Sequence, residues 1–211
     1  MKHITIIMAA LLAIASCAPH GDSGDFTQQE IEIIEEADSI MRVLTIEASA
    51  DVSVLRAKST DLSPDALLSP AYASLAELMV ATVTHPSQDG VGIAGPQVGL
   101  NRRVVAVQRF DKEGEPFEVY PNIRIVWASD SLEAGPEGCL SVPDRRGEVM
   151  RSTEIVIEYA DIQKLKENLQ FQRENRDSAI PMVRDTVRDF TAVIFQHEID
   201  HLDGVLYIDR L

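Results

Sequence analysis

The chain is poor in cysteine, in aromatic side chains and in positive charge. Its two cysteines, Cys17 and Cys139, allow at most one disulfide, so a disulfide-stapled scaffold is excluded and a hydrophobic core must hold the fold. Aromatic residues make up 5%, and no segment recurs at a fixed period, which speaks against solenoid, collagen-like and low-complexity classes. Only 19 basic side chains stand against 34 acidic ones, a formal charge of −15. A surface of that sign repels nucleic-acid backbones, which excludes nucleic acid as a partner. No apolar run reaches the roughly 20 residues of a spanning helix. What the chain does have is 211 residues, 45% of them hydrophobic, enough for one domain with a real core.

Lys2 and the apolar run from Ile4 to Ile14 have the proportions of a secretory signal. The run closes on Ile14, Ala15, Ser16 and Cys17, which resembles a bacterial lipobox, where cleavage precedes a cysteine that carries lipid. The reading expects a lipoprotein signal peptide over 1–16, lipidation at Cys17, a flexible tether over 17–26 rich in Pro, Gly and Ser, and one catalytic domain over 27–211. A plain secretory signal beside an ordinary cysteine is the alternative. Lipidation of Cys17 leaves Cys139 without a disulfide partner, and an unpaired thiol in an oxidising compartment needs a role.

Thr27 and Glu30 form a capping box ahead of Ile33, Ile34, Ala37, Ile40 and Met41 at helical spacing. Ser69 and Pro70 open a second helix that runs to about Thr84. Strands are expected at Arg103–Gln108, Phe117–Val119, Ile123–Trp127, Glu148–Met150 and Ile155–Tyr159. Gln163–Arg176 is charged and fits either a hairpin or an inserted helix. A last helix starts near Arg184 to Asp189, carries Phe190, Ile194, His197 and His201 on one stripe, and stops at Gly204. Helices and strands are segregated, so the class is α+β, with mostly antiparallel sheets around a C-terminal metal-binding helix.

That helix spells H-E-x-x-H over His197–His201. Residues four apart share a face, so two imidazoles can converge on one ion while Glu198 sits beside the water it activates. A catalytic site of this kind needs a third protein ligand and an open position. Cys139, within Glu137-Gly138-Cys139-Leu140-Ser141, supplies a soft, charged donor. Upstream, Gly90 to Gly99 is glycine-rich but lacks the Lys of a phosphate cradle. Its Gln97 amide could donate to an oxyanion.

Together, Gly90–Gln97, Glu137–Ser141 and Gln196–Gly204 resemble, in order and spacing, the three motifs of the peptide deformylase family. The likeness extends loosely from Met41 to Leu211, including Leu55 and Arg56 in an early strand. It implies an enzyme that removes the N-formyl group from formyl-methionyl peptides and releases formate, and the lipobox ending at Cys17 makes it an exported, lipoprotein-like member. It also implies Cys139, His197 and His201 as ligands of one divalent ion, with Fe2+ favoured and Zn2+ the second choice, and Glu198 as the proton carrier. Gln97 and the Leu140 N–H would hold the oxyanion, the Gly92 backbone would approach the formyl group or first peptide bond, and Arg146 would lie near the downstream part of the peptide. Gly95 stands where the family more often has alanine, and Val193 where arginine is frequent. The basic helix with which the best-known bacterial members dock on the ribosome has no counterpart after Gly204, so ribosome binding is not expected. Two other readings are a metallopeptidase or other amidase on the same histidine pair, and a non-catalytic metal-binding envelope lipoprotein. Glu198 and Gln97 disfavour the last, since neither is needed merely to hold an ion.

Overall fold

Thr27 caps the first helix as its spacing predicts. Its hydroxyl accepts the Glu30 N–H and the Glu30 carboxylate accepts the Thr27 N–H, closing the capping box of α1 (Gln28–Glu35). The computed structural model describes residues 24–171 and 179–211. The expected signal peptide and Cys17 lie outside them, as does part of Gln163–Arg176. The last residues assigned to the tether are docked: the Gly24 carbonyl accepts the Ser63 N–H, and Phe26 packs on the core.

Among the described residues four helices precede the first sheet: α1, α2 (Ser49–Leu55), α3 (Pro64–Leu67) and α4 (Pro70–Thr84). The helical spacing that runs on to Met41 is not all helix. Acidic residues crowd the C-terminal end of α1, where the dipole disfavours them, and the chain then crosses α4, with the Met41 N–H donating to the Thr82 hydroxyl at 2.8 Å. The expected early strand at Leu55 and Arg56 is also corrected, since Leu55 ends α2 and Arg56 caps it. Val52 and Val54 alternate as in a strand, but the Asp51 carboxylate accepts the Thr45 N–H and pairs with Arg42, holding the chain in a helical turn.

Strands β1 (Gly92–Ala94), β2 (Val104–Gln108) and β3 (Phe117–Pro121) form one antiparallel sheet, with a 3₁₀ turn over Gly95–Val98 after β1. Gly95 has a packing reason to be glycine, because a Cβ there would lie 2.6 Å from the Arg102 carbonyl oxygen. A second sheet has the order β4 (Arg124–Ala128), β7 (Glu154–Ala160), β8 (Met182–Arg188), and β5 (Leu132–Cys139) pairs with β6 (Val142–Ser152) as a long hairpin. The ambiguous segment opens as helix α5 (Ile162–Phe171). The last helix, α6 (Asp189–Leu202), starts where β8 ends. Arg184 therefore belongs to a strand in full register with β7, and Asp189, at φ +53°, makes the abrupt turn.

Strand β2 divides the interior. Val104 and Ala106 join α1 and α4 in one cluster, whereas Val105 and Val107 join Phe195, Ile199 and Leu202 of α6 in a second. Alternation along a strand buried on both faces feeds both cores. Arg109, 2% exposed, closes the end of β2 by donating to Tyr120, Asp111 and Asp185. The outcome is an α+β domain of antiparallel sheets with α6 against them.

Beyond α6, the Gly204 N–H donates to the His201 carbonyl and the Val205 N–H to that of Asp200, the paired bonds of a Schellman motif. Gly204 has φ +74°, and a Cβ there would overlap the Arg56 carbonyl oxygen. Gly204→Ala should therefore destabilise the protein by about 1–3 kcal/mol from the backbone conformation alone. A fall in the urea midpoint at constant m-value is the expected result, and an unchanged midpoint would contradict it.

Candidate active site

Three elements meet at one cleft of about 800 Å³. One wall is β1 and its 3₁₀ turn, the second is the β5–β6 hairpin, and the floor is α6. Helical geometry puts His197 and His201 on one face, their rings 5.1 Å apart and edge to face. The hairpin brings Cys139 to them: a register shift after Gly138 pairs Cys139 with Val142 and turns its thiol inward, 3.2 Å from His201 Nε2. Donor atoms of Cys139, His197 and His201 all lie within 4.8 Å of one another. One sulfur and two imidazole nitrogens suit zinc or ferrous iron and leave a fourth position for water or substrate. Glu198, 4% exposed, has its Oε2 buried without a hydrogen-bond partner. A buried, unpartnered carboxylate oxygen on the same helix as two of the donors fits an ion with an accompanying water.

Glu198 owes its place to a missing side chain. A Cβ on Gly92 would stand 2.5 Å from Glu198 Oε1, so only glycine lets β1 pass this close to α6. Gln97 is 1% exposed. Its Oε1 accepts the Ala94 N–H at 2.9 Å, which aims Nε2 at the Ser141 hydroxyl, 3.2 Å away, and at Cys139 Sγ, 3.6 Å away. Leu140 turns the hairpin beside Cys139, and Arg146 faces Gly138 across it. All the residues expected at the site, apart from Cys17, line this cleft or the ligand cluster beneath it.

Glu137, Arg151 and Asp200 are not among the residues expected at the site, yet they support it. Glu137 Oε2 lies 2.7 Å from His197 Nδ1, so that nitrogen carries a proton and the other faces Cys139 and His201. Arg151 donates to both Glu137 oxygens, at 2.7 and 3.0 Å, and to Asp200 at 2.6 Å. Asp200 in turn accepts from Arg210. Glu137 and Asp200 stand inside the motifs and could have been suspected there, but Arg151 carries no local signal: it stands opposite Glu133 on the hairpin, and only its long side chain reaches Glu137.

Charge is strongly partitioned among these groups. Burial would raise the Glu137 carboxyl, but Arg151 and His197 outweigh it and hold it at about 2. Glu198, fully desolvated and without such donors, is pushed up to about 7 by burial. Burial also lowers the His201 imidazole well below its ordinary value, which keeps it neutral and able to act as a ligand.

A carboxyl depressed in the folded state stabilises above its ordinary pKa, and that stability is lost as pH falls toward the depressed value. For Glu137 the window runs from 4.5 down to about 2, with a full effect on the order of 3 kcal/mol. Urea unfolding of metal-free protein should accordingly show the advantage of the native chain over Glu137→Gln shrinking as pH drops from 6 to 3. A constant difference across that range would show that Glu137 is not held ionised.

The sequence profile of the polypeptide deformylase family matches residues 41–211. The chain is similar to peptide deformylase 2 of Vibrio cholerae, 35% identical over 171 residues that cover 81% of this chain and 88% of that one. It is also similar to peptide deformylase 2 of Nostoc, 42% identical over 139 residues, or 63% and 68% of the two chains. Among solved structures, the Met-Ala-Ser-bound class I type b peptide deformylase of Acinetobacter baumannii superposes with a TM-score of 0.66 at 31% identity, covering 82% of this chain and 98% of that one. The Thermotoga maritima peptide deformylase gives 0.65 at 28% identity, covering 82% and 99%.

Proposed function

This chain belongs to the polypeptide deformylase family, and we propose that its cleft carries out deformylation with the residues described above. It is a metal-dependent hydrolase that removes the N-formyl group from formyl-methionyl peptides, leaving formate and a free amine. The observation that carries the residue assignment is the convergence of Cys139, His197 and His201 beside a buried, unpartnered Glu198 oxygen.

Cys139, His197 and His201 hold the ion. When bound, it supplies Lewis acidity that activates a water and polarises the formyl carbonyl. Glu198, raised to about 7 by burial, takes a proton from that water and passes it to the leaving amine, a cycle suited to a group that titrates near neutrality. The Gln97 amide, held by Ala94, and the Leu140 N–H donate to the oxygen on which negative charge develops. The Gly92 backbone lies along the formyl group and first peptide bond, and Arg146 meets the peptide farther on. Ferrous iron is the favoured ion and zinc the alternative, since a thiolate with two imidazoles accepts either.

We also propose that the protein works outside the cytoplasm, anchored by lipid on Cys17. The apolar run from Ile4 to Ile14 that closes on Ala15, Ser16 and Cys17 supports this, as does a charge of −15, which opposes binding to ribosomal RNA.

Glu198→Ala should keep its metal yet lose at least about 10²-fold in rate on a formylated peptide, whereas Cys139→Ala should lose the metal. Near-normal turnover in the first, or stoichiometric metal in the second, would overturn the assignment. An acetylated analogue cleaved as fast as the formylated peptide would instead indicate a general amidase. For the anchor, the full chain expressed in a bacterium should partition with membranes and label with a lipid precursor, and Cys17→Ser should abolish the label. An unprocessed soluble protein would exclude it.

A further inference from the structure

Among the described residues eight large apolar side chains stand exposed, and four of them, Val126, Trp127, Leu132 and Met150, belong to one two-stranded ribbon. Hydrogen bonds carry the pairing of β4 with β7 on into the β5–β6 hairpin: the Ser129 N–H donates to the Glu154 carbonyl and the Thr153 N–H to that of Ser131. Register then separates the two faces of this ribbon. Val149 faces inward onto Leu206 and Tyr207, and Ile155 and Ile157 face inward onto α6. Met150 and Val156, which alternate with them, therefore face outward. Their side of the ribbon also carries Trp127, paired with Val156, and Leu132, paired with Ser152.

Strict alternation along β4 would turn one of Val126 and Trp127 inward. The ladder slips there instead: Ile125 pairs with Ile157 and Trp127 already with Val156, so the extra residue leaves both apolar side chains outside, 39% and 51% exposed. Leu132 and Met150 stand diagonally across the hairpin, within reach of each other's long side chains. At roughly 3.3 Å per residue the stripe from Val156 to Met150 is about 20 Å long. None of the four exposed residues lines the active-site cleft. The arginines beside Trp127 are each paired, Arg124 with Asp61, Arg184 with Glu158 and Arg188 with Glu154.

We propose that this face of the ribbon rests on a lipid bilayer, the one in which the lipid on Cys17 is inserted. The inference rests on the lipid-anchor reading and holds whatever reaction the cleft performs. The place where the chain enters the domain argues for it. The Gly24 carbonyl accepts the Ser63 N–H, and Asp61, two residues before Ser63, grips Arg124 at the start of β4, three residues from Trp127. Cys17 stands seven residues before Gly24, a length that spans at most about 25 Å when extended. A lipid there holds this edge of the domain close to the membrane. Tryptophan favours the headgroup level of a bilayer, and arginines beside it can lay their stems on apolar surface with their heads in the polar layer. Paired charges also spare this face the repulsion that an acidic surface meets at anionic lipid.

The test uses the full chain, expressed in a bacterium, purified with its lipid and reconstituted into phosphatidylcholine vesicles. Trp127 is the chain's only tryptophan, so its fluorescence reports on this face alone. Its emission should be quenched when the acyl chains carry bromine and shielded from acrylamide in the water. In the double variant Leu132→Glu, Met150→Glu both effects should be lost, because carboxylates resist burial in an apolar contact. That variant should still sediment with the vesicles through its lipid and hydrolyse a formylated peptide at the native rate in detergent. Native protein that sediments with the vesicles without bromine quenching, or quenching that survives both substitutions, would overturn the proposal and leave the anchor standing. A chain that carries no lipid and does not sediment would overturn the anchor reading and this inference with it. A dimer in detergent that the two substitutions dissociate would put a second copy on this face and overturn the proposal as well.

Discussion

The buried pairing of Arg151 with Glu137 is the interaction on which the site depends. It joins the hairpin that carries Cys139 to the helix that carries the histidines, because Arg151 grips Glu137 on β5 and Asp200 on α6 at once. Burying two charges costs several kcal/mol each unless their hydrogen bonds are satisfied. Here they are satisfied: one Glu137 oxygen takes an Arg151 N–H, the other takes a second Arg151 N–H and His197 Nδ1, and the remaining guanidinium nitrogen serves Asp200. The pairing fixes the orientation of a ligand ring and the separation of two elements that share no local sequence.

Two acidic side chains in this small volume are driven to opposite behaviour by their surroundings. Glu137 is surrounded by donors and stays ionised, while Glu198 is shut against the Gly92 backbone and α6 with one oxygen unsatisfied, so its proton affinity rises to the range useful for catalysis. The contrast arises from packing. Glu198 lies on the side of α6 against which β1 closes, and the glycine at 92 leaves the space that its carboxylate fills.

Legibility from sequence followed the range of the interactions. His197, Glu198 and His201 lie within one helical turn, and a lone thiol in a short glycine-flanked motif points to the third donor, so the cluster was readable. The caps at Thr27 and Ser69 were readable for the same reason. Arg151 was not, because its role comes from side-chain contacts with Glu137 and Asp200, 14 and 49 residues away; nor was β8, whose seven residues become a strand only by pairing with β7. Leu55 and Arg56 were expected in an early strand through the family likeness, whereas Asp51, accepting the Thr45 N–H and pairing with Arg42, holds this segment in a helical turn. Gly95 looked like a departure from a pattern, and the nearby Arg102 carbonyl accounts for it.

The division of the donors between a hairpin and a late helix determines the order in which the centre can be assembled. Cys139 leaves the ribosome first, and His201 follows 62 residues later. Between those moments the thiol has neither imidazole to share an ion with, and Arg151 has Glu137 but not Asp200 to hold. The centre is therefore complete only once α6 has docked against the hairpin. Metal binding at this centre is thus coupled to the docking of α6 on the hairpin, so that an ion held there also ties the two elements together.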